Sequence, residues 1–206
     1  MFHRALVRSV LNFKVNLIIK ILILSDFFVW SSANLLSPVF AIYVVDKIPG
    51  ASVESVGIAT SLYLIVRSIM EIPVGIYIDK TKTEKDDLYS ALIGTIASAL
   101  VYFCYIFINS VWQLYALQII SGMAAALAFP GWYSIFTHHI DKEREGFEWS
   151  LYDVMLGVGM AATAALGAFL VEMFGFEMVF VLVGLLMTFG ALLLLMIRKK
   201  IFLKNS

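Results

Sequence analysis

Six long apolar runs set the pattern of this chain, each ended by a short polar break. They extend over Leu17–Val45, Val56–Ile78, Leu88–Ile108, Val111–Thr137, Trp149–Met173 and Glu177–Ile197. A helix crossing the hydrocarbon core, about 30 Å thick, needs about 20 mostly apolar residues. Lipid offers the backbone no hydrogen-bonding partner, so runs of this length read as helices. The breaks carry turn chemistry: a Pro-Gly pair within Asp46–Ser52, then Asn109–Ser110, then Gly175. None is long enough to hold a soluble domain. The pattern predicts an all-α membrane protein. A six-transmembrane-helix bundle occupies residues 17–197, with a cytoplasmic lead-in over 1–16 and a basic tail over 198–206.

Composition agrees. The chain has 206 residues, of which 61% are hydrophobic and 15% charged. A soluble domain carries about 25% charged residues, and one of this size has too little interior for so much apolar surface. The formal net charge is zero, which removes any global field that would draw in nucleic acid.

Where the charges sit matters more than their sum. With the N-terminus inside, the inner segments hold Arg4, Arg8, Lys14 and Lys20, then Lys80, Lys82 and Lys85, then Lys142 and Arg144. Arg198, Lys199, Lys200 and Lys204 complete the set, thirteen of the fifteen lysines and arginines. Lys47 falls outside and Arg67 within a helix. This bias alternates loop by loop, as six crossings require, and puts both ends of the chain in the cytoplasm. The first apolar run is too long for the core of a signal peptide and has no small-residue cleavage site. Residues Met1–Asn16 instead read as an amphipathic stretch, with Ala5, Leu6 and Phe13 toward acyl chains and the cations toward anionic headgroups.

Ionisable residues inside the apolar runs carry the sharpest chemical signal. Asp26 lies in helix one, Arg67 and Glu71 in helix two, and Asp153 in helix five. Each costs roughly 2.5–3.5 kcal/mol at the bilayer centre on insertion scales, so each is expected to face a bundle interior or a wet cavity. Arg67 and Glu71 are four residues apart and share a helix face. One reading is a substrate or proton path; the other is a structural ion pair that sets helix packing. Asp153 also fits a side chain reaching back to the interface. Asp26, Trp30 and Asn34 recur every four residues, and Ser37 continues that stripe. Gln118 and Gly122 form a track on helix four above Trp132 and Tyr133, and Tyr152 accompanies Asp153. Trp30 and Trp132 fit ordinary packing as well as a binding role. Pro38 and Pro130 are positioned to bend helices one and four. Gly159, Thr163 and Gly167, and likewise Gly157, Ala161 and Ala165, give helix five two faces for close packing.

Other chemistries find no support. The single Cys104 excludes an intramolecular disulfide and a cysteine metal cage. There is no Walker phosphate loop and no Asn-Pro-Ala pair. His138 and His139 fall at the opposite membrane face from Ser52, which defeats serine–histidine catalysis. With Asp141 they lack zinc-site spacing. No enzyme activity, cofactor, metal or nucleic-acid partner is expected.

The segment Glu71-Ile-Pro-Val-Gly-Ile-Tyr-Ile-Asp79-Lys80 resembles the signature that the major facilitator superfamily carries between its second and third helices. Gly75, Asp79 and Lys80 fit that signature, while Lys82 stands where the family usually has its second glycine. Leu114–Gln118, Gly122, Pro130 and Asp141–Gly146 are similar to the family's fourth helix and the loop after it. The glycine-proline signature of the antiporter branch is absent, since no proline follows Gly159 or Gly167. The resemblance covers nearly the whole chain, as one half of the usual twelve-helix transporter, a bundle of 3+3 inverted repeats. It implies that helices one, two, four and five line a path and that three and six lie outside. It also implies that the loop signature latches one conformation; an ordinary solvated turn over Asp79–Asp87 is the other reading. By direct physics, Gly75 permits close backbone approach, and Asp79 is placed to meet free amides at the start of helix three.

The resulting expectation is a secondary transporter of a small solute in a prokaryotic plasma membrane. Two copies, or this bundle with another half, would form the path by alternating access. Asp26 is the carboxylate to carry a coupling proton, with Arg67 tuning its release or holding an anionic solute. The alternatives are a non-transporting membrane scaffold, or one subunit or fragment of a larger transporter.

Overall fold

The computed structural model describes residues 15–81 and 83–204. The amphipathic lead-in, apart from its last two positions, and Lys82 lie outside the described residues. The fold is helical throughout the described residues. Helix α1 (Leu17–Leu36) is followed by a short α2 (Phe40–Lys47), then α3 (Val53–Lys80) and α4 (Glu84–Cys104). A 3-10 turn (Tyr105–Phe107) leads to α5 (Val111–His139) and α6 (Glu145–Leu193). A second 3-10 turn (Leu194–Ile197) joins α7 (Arg198–Lys204).

Five helices are long and apolar enough to cross a membrane among the described residues. The last contains two of the six runs read from the sequence. Gly175 breaks it, with φ +79° and ψ 169°. Only glycine adopts such a conformation without strain. The arms 145–174 and 176–193 are therefore separate crossings joined through one residue, the second continued by the 3-10 turn. Six crossings result, as the apolar pattern predicts.

The first run is also interrupted. Pro38 has no amide hydrogen and its ring obstructs the preceding turn. Helix α1 stops at Leu36, and α2 restarts after Val39, whose N–H donates to the Leu36 carbonyl at 3.0 Å. Pro130, by contrast, is accommodated inside a continuous α5. The start of α3 is closed by a reciprocal cap. The Ser52 hydroxyl accepts from the Ser55 N–H at 3.4 Å, and the Ser55 hydroxyl accepts from the Ser52 N–H at 3.1 Å. Helix α4 carries Glu84, Asp86 and Asp87 in its first turn, where the helix dipole favours negative charge.

Two apolar clusters mark the two ends of the bundle. At the base, Ile19, Leu22, Leu88, Ile135, Phe136 and Ile197 are packed together. At the tip, Leu36, Val44, Ile48, Leu114, Phe180 and Val183 do the same. Small residues set the helix spacing between them. A Cβ on Gly159 would collide with Ser31 and Phe27, and one on Gly167 with the backbone of Leu35. The first small-residue face of α6 is thus spent on contact with α1. The second is not: Gly157 has nothing within 4 Å of a Cβ position, and Ala161 and Ala165 are exposed.

Helix α3 is covered least, with only Ser55, Ala59 and Ile78 buried along its length. The loop signature accordingly behaves differently from expectation. Gly75 has nothing within 4 Å of a Cβ position, so no backbone approaches it within this bundle. Asp79 is exposed in the last turn of α3. At the start of α4 the local contact is instead made by Thr83, whose hydroxyl donates to Asp86 at 2.8 Å. That bond caps no backbone amide: the N-cap Thr83 makes no side-chain capping bond, and the capping role expected of Asp79 is not filled by it.

Candidate functional site

A cavity of about 530 Å³ lies inside the bundle, within the 300–1,000 Å³ typical of small-molecule sites. Its wall follows from helical spacing. Asp26, Trp30 and Asn34, one turn apart on α1, all line it, and Ser37 extends the stripe at the Pro38 break. Gln118 reaches it from α5, one turn from Ser121, followed by Phe129 and Trp132. The polar stripe read from helix one and the Gln118 track of helix four thus face one another across a common space.

Asp26 is buried, and the Tyr152 hydroxyl donates to its Oδ2 at 2.9 Å. That bond joins α1 to α6 across 126 positions of sequence. A buried carboxylate without hydrogen-bond donors would be very costly, and Tyr152 provides one. Below it, toward the base, aromatic rings close the bundle. Trp132 stacks on Phe136 at 4.9 Å, Phe136 meets Trp149 at 4.5 Å, and Trp132 meets Tyr152 at 5.0 Å. Asn34 is held by its Nδ2 donating to the Met160 carbonyl at 2.6 Å. The indole N–H of Trp132, a side chain 4% exposed on the cavity wall, has no acceptor among the described residues.

Arg67 and Glu71 are paired but lie outside the wall. The Arg67 Nε donates to Glu71 Oε2 at 3.3 Å, and the guanidinium sits 4.0 Å from the centre of the Phe129 ring, a cation–π contact. Their side chains are 23% and 33% exposed, so the bundle, Phe129 included, covers most of each. Asp153 is exposed, on the outer side of α6, one residue from Tyr152. Tyr133, exposed on α5, stacks on Phe129 with ring centres 5.9 Å apart. The sparsely covered sides of α3 and α6 thus carry three of the four intramembrane charges, and of the four Asp26 alone lines the cavity.

Removing one member of the Arg67–Glu71 pair should strand the other. Glu71→Gln and Arg67→Gln are each expected to lower stability by about 1–3 kcal/mol, and the double substitution to recover at least about half of that. Thermal unfolding in detergent checks this; unchanged stability in both single variants would show that the pair is not held in this geometry.

The wall also includes residues that sequence reasoning passed over. Helix α4 was expected to lie outside the path, yet Thr95, Ser98 and Tyr102 line the cavity, with Tyr105 from the turn after it. Tyr63 joins them from α3, Phe40 from α2, and Met187 from the last crossing. Their spacing of three or four residues along α4 was the available signal, but uncharged hydroxyls in an apolar run do not stand out. Gly122 is not on the wall. It lets α5 close on α3, since a Cβ there would lie 2.7 Å from the Tyr63 carbonyl oxygen. His139 stands at the base, with Nε2 3.5 Å from Glu84 Oε2, away from the cavity.

Known proteins place this architecture. The family model described as Major Facilitator Superfamily matches residues 22–205. Among solved structures the fold is similar to the POT family transporter PepTSo, with TM-score 0.72 and 16% sequence identity. The match covers 90% of this chain but 38% of that one, so the chain spans well under half the length of that transporter. No curated protein sequence matches. The family match extends over all six crossings and the cavity between them: the chain belongs to the major facilitator superfamily.

Proposed function

We propose that this bundle is one half of a secondary transporter of a small solute, and that a second copy of the chain covers its open face. The observation that carries this reading is the set of charges on that face. Arg67, Glu71 and Asp153 lie within crossings, where each charge facing lipid costs a few kcal/mol. The bundle covers Arg67 and Glu71 only in part and leaves Asp153 exposed, so in a bilayer a further neighbour is needed to shield them.

The composition of the face supports a protein rather than a lipid neighbour. On α6 the positions Asp153, Gly157, Ala161, Ala164 and Ala168 follow one another at three- and four-residue spacing. They form a stripe of small residues beside the cavity. The adjacent stripe holds Val158, Phe169 and Met173, large and exposed. Small residues suit close helix contact, and large apolar ones suit acyl chains. On α3 the positions Leu64, Ser68, Glu71 and Gly75 follow one another at the same spacing, with Ser68 and Gly75 small and Leu64 large and exposed. A copy inserted in the same orientation and related by an axis along the membrane normal would bring the stripes of two bundles together. The two cavities would then meet at a shared path with an Asp26 on each side. Rocking of one bundle against the other would expose that path alternately, and Asp26 would carry a proton where a proton gradient drives movement. A sealed scaffold would have no use for a cavity of this size.

In the cell the chain is then a multi-pass plasma-membrane protein with its base in the cytoplasm, and Gly75, Asp79 and Lys80 form a cytoplasmic latch. Proteoliposomes with an imposed proton gradient should accumulate a solute from a mixed panel, and protein-free vesicles should not. Cysteines at Ser52 and Asn109 should be labelled from outside, and one at Thr83 from inside. Absence of uptake for every solute would count against transport, and labelling of Ser52 and Thr83 from one side would end the topology.

A further inference from the structure

We propose that the cavity takes an organic cation with an aromatic or apolar body, for which Asp26 is the counter-ion; the inference rests on the transport reading and names its substrate class. Among the described residues, Asp26 is the single charged side chain on the wall. None of the ion pairs found among those residues, Arg67–Glu71, His139–Glu84 and Arg144–Asp141, involves it. A carboxylate this deep requires either a proton or a cation beside it.

The rest of the wall is suited to the cation. Rings of Trp30, Phe40, Tyr63, Tyr105 and Trp132 surround the space, and the negative faces of such rings attract cations. The same faces, together with Asp26, repel an anion. Arg67, expected from the sequence as a holder of anionic solute, is engaged by Glu71 and Phe129 and is not on the wall. The volume admits a cation of two or three rings.

Three probes of one shape separate the possibilities: the cation N-methyl-4-phenylpyridinium, the neutral 4-phenylpyridine N-oxide and the anion 4-biphenylcarboxylate. Binding to the purified protein is read from calorimetry and from tryptophan fluorescence. The cation is expected to bind at least about 30-fold more tightly than the anion. Asp26→Asn should weaken the cation by about 30-fold while leaving the neutral probe within about threefold, which also shows that the cavity is intact. Asp26→Glu should restore most of the cation affinity. If Asp26→Asn fails to fold, the ranking of cation over anion in the unaltered protein decides alone. Equal affinity for cation and anion, or full cation affinity in folded Asp26→Asn, would overturn the inference. Because binding is measured without flux, cation binding with no transport rejects only the transport reading. Transport of an anion by a protein that refuses the cation rejects only this assignment.

Discussion

Ser121→Trp should lower solute flux in proteoliposomes by about 100-fold or more, with little change in unfolding temperature. Ser121 lies on the cavity wall, one turn along α5 from Gln118. An indole at that position enters the space that the solute must occupy. Misplacing a bound molecule by even an ångström costs about 100-fold in systems that depend on orientation, and here the solute is excluded altogether. The cavity is large enough to receive the ring without moving the helices, so folding should survive. Flux and melting measured on the same preparation separate a blocked site from a damaged fold. Flux that persists near its original level would mean that the solute does not use this cavity.

A comparable loss is expected from Ala161→Trp, for a different reason. Ala161 belongs to the small-residue stripe of α6 that continues from Asp153 and Gly157, and all three are exposed in the single bundle. If a second bundle packs there, a tryptophan holds the two apart. Flux should fall by about 10- to 100-fold, and cysteine cross-linking between copies should fall with it. Val158→Trp supplies the control. It lies on the same arm of α6, is 64% exposed, and points about 60° away, given about 100° per residue. A large apolar group facing acyl chains should leave flux within about twofold. Equal effects of the two substitutions would remove the distinction between the two stripes.

Much of this architecture was legible in the sequence because lipid imposes a length on any helix that crosses it. That constraint makes runs such as Val111–Thr137 readable without tertiary information, and the structure extends that one only to His139. Gly175 and Pro38 were legible for local reasons, one through its tolerance of positive φ and the other through its missing N–H. The Asp26–Trp30–Asn34 stripe was legible because helical period alone puts those residues on one face. What period does not give is the direction in which a face points. Arg67 and Glu71 share a face as expected, yet that face looks out of the bundle beside the cavity. The Asp26–Tyr152 bond depends on how α1 and α6 pack, and the glycines that allow it, Gly159 and Gly167, signal close packing without naming the partner. Tyr63, Tyr102 and Tyr105 went unnoticed because a tyrosine in an apolar run looks like any other membrane aromatic until its neighbours are known.

The central claim is that a second bundle covers the face holding Arg67, Glu71 and Asp153, and its most direct test is the oxygen accessibility of spin labels in the native membrane. Four labels suffice, at Leu64 and Ala161 on that face and at Ile65 and Val158 on the lipid side of the same helices, with Cys104 replaced by serine. The account predicts that Leu64 and Ala161 are shielded from oxygen dissolved in the bilayer while Ile65 and Val158 are freely accessible to it. Equal and high accessibility at all four positions would show lipid against the charged face, and would contradict the account.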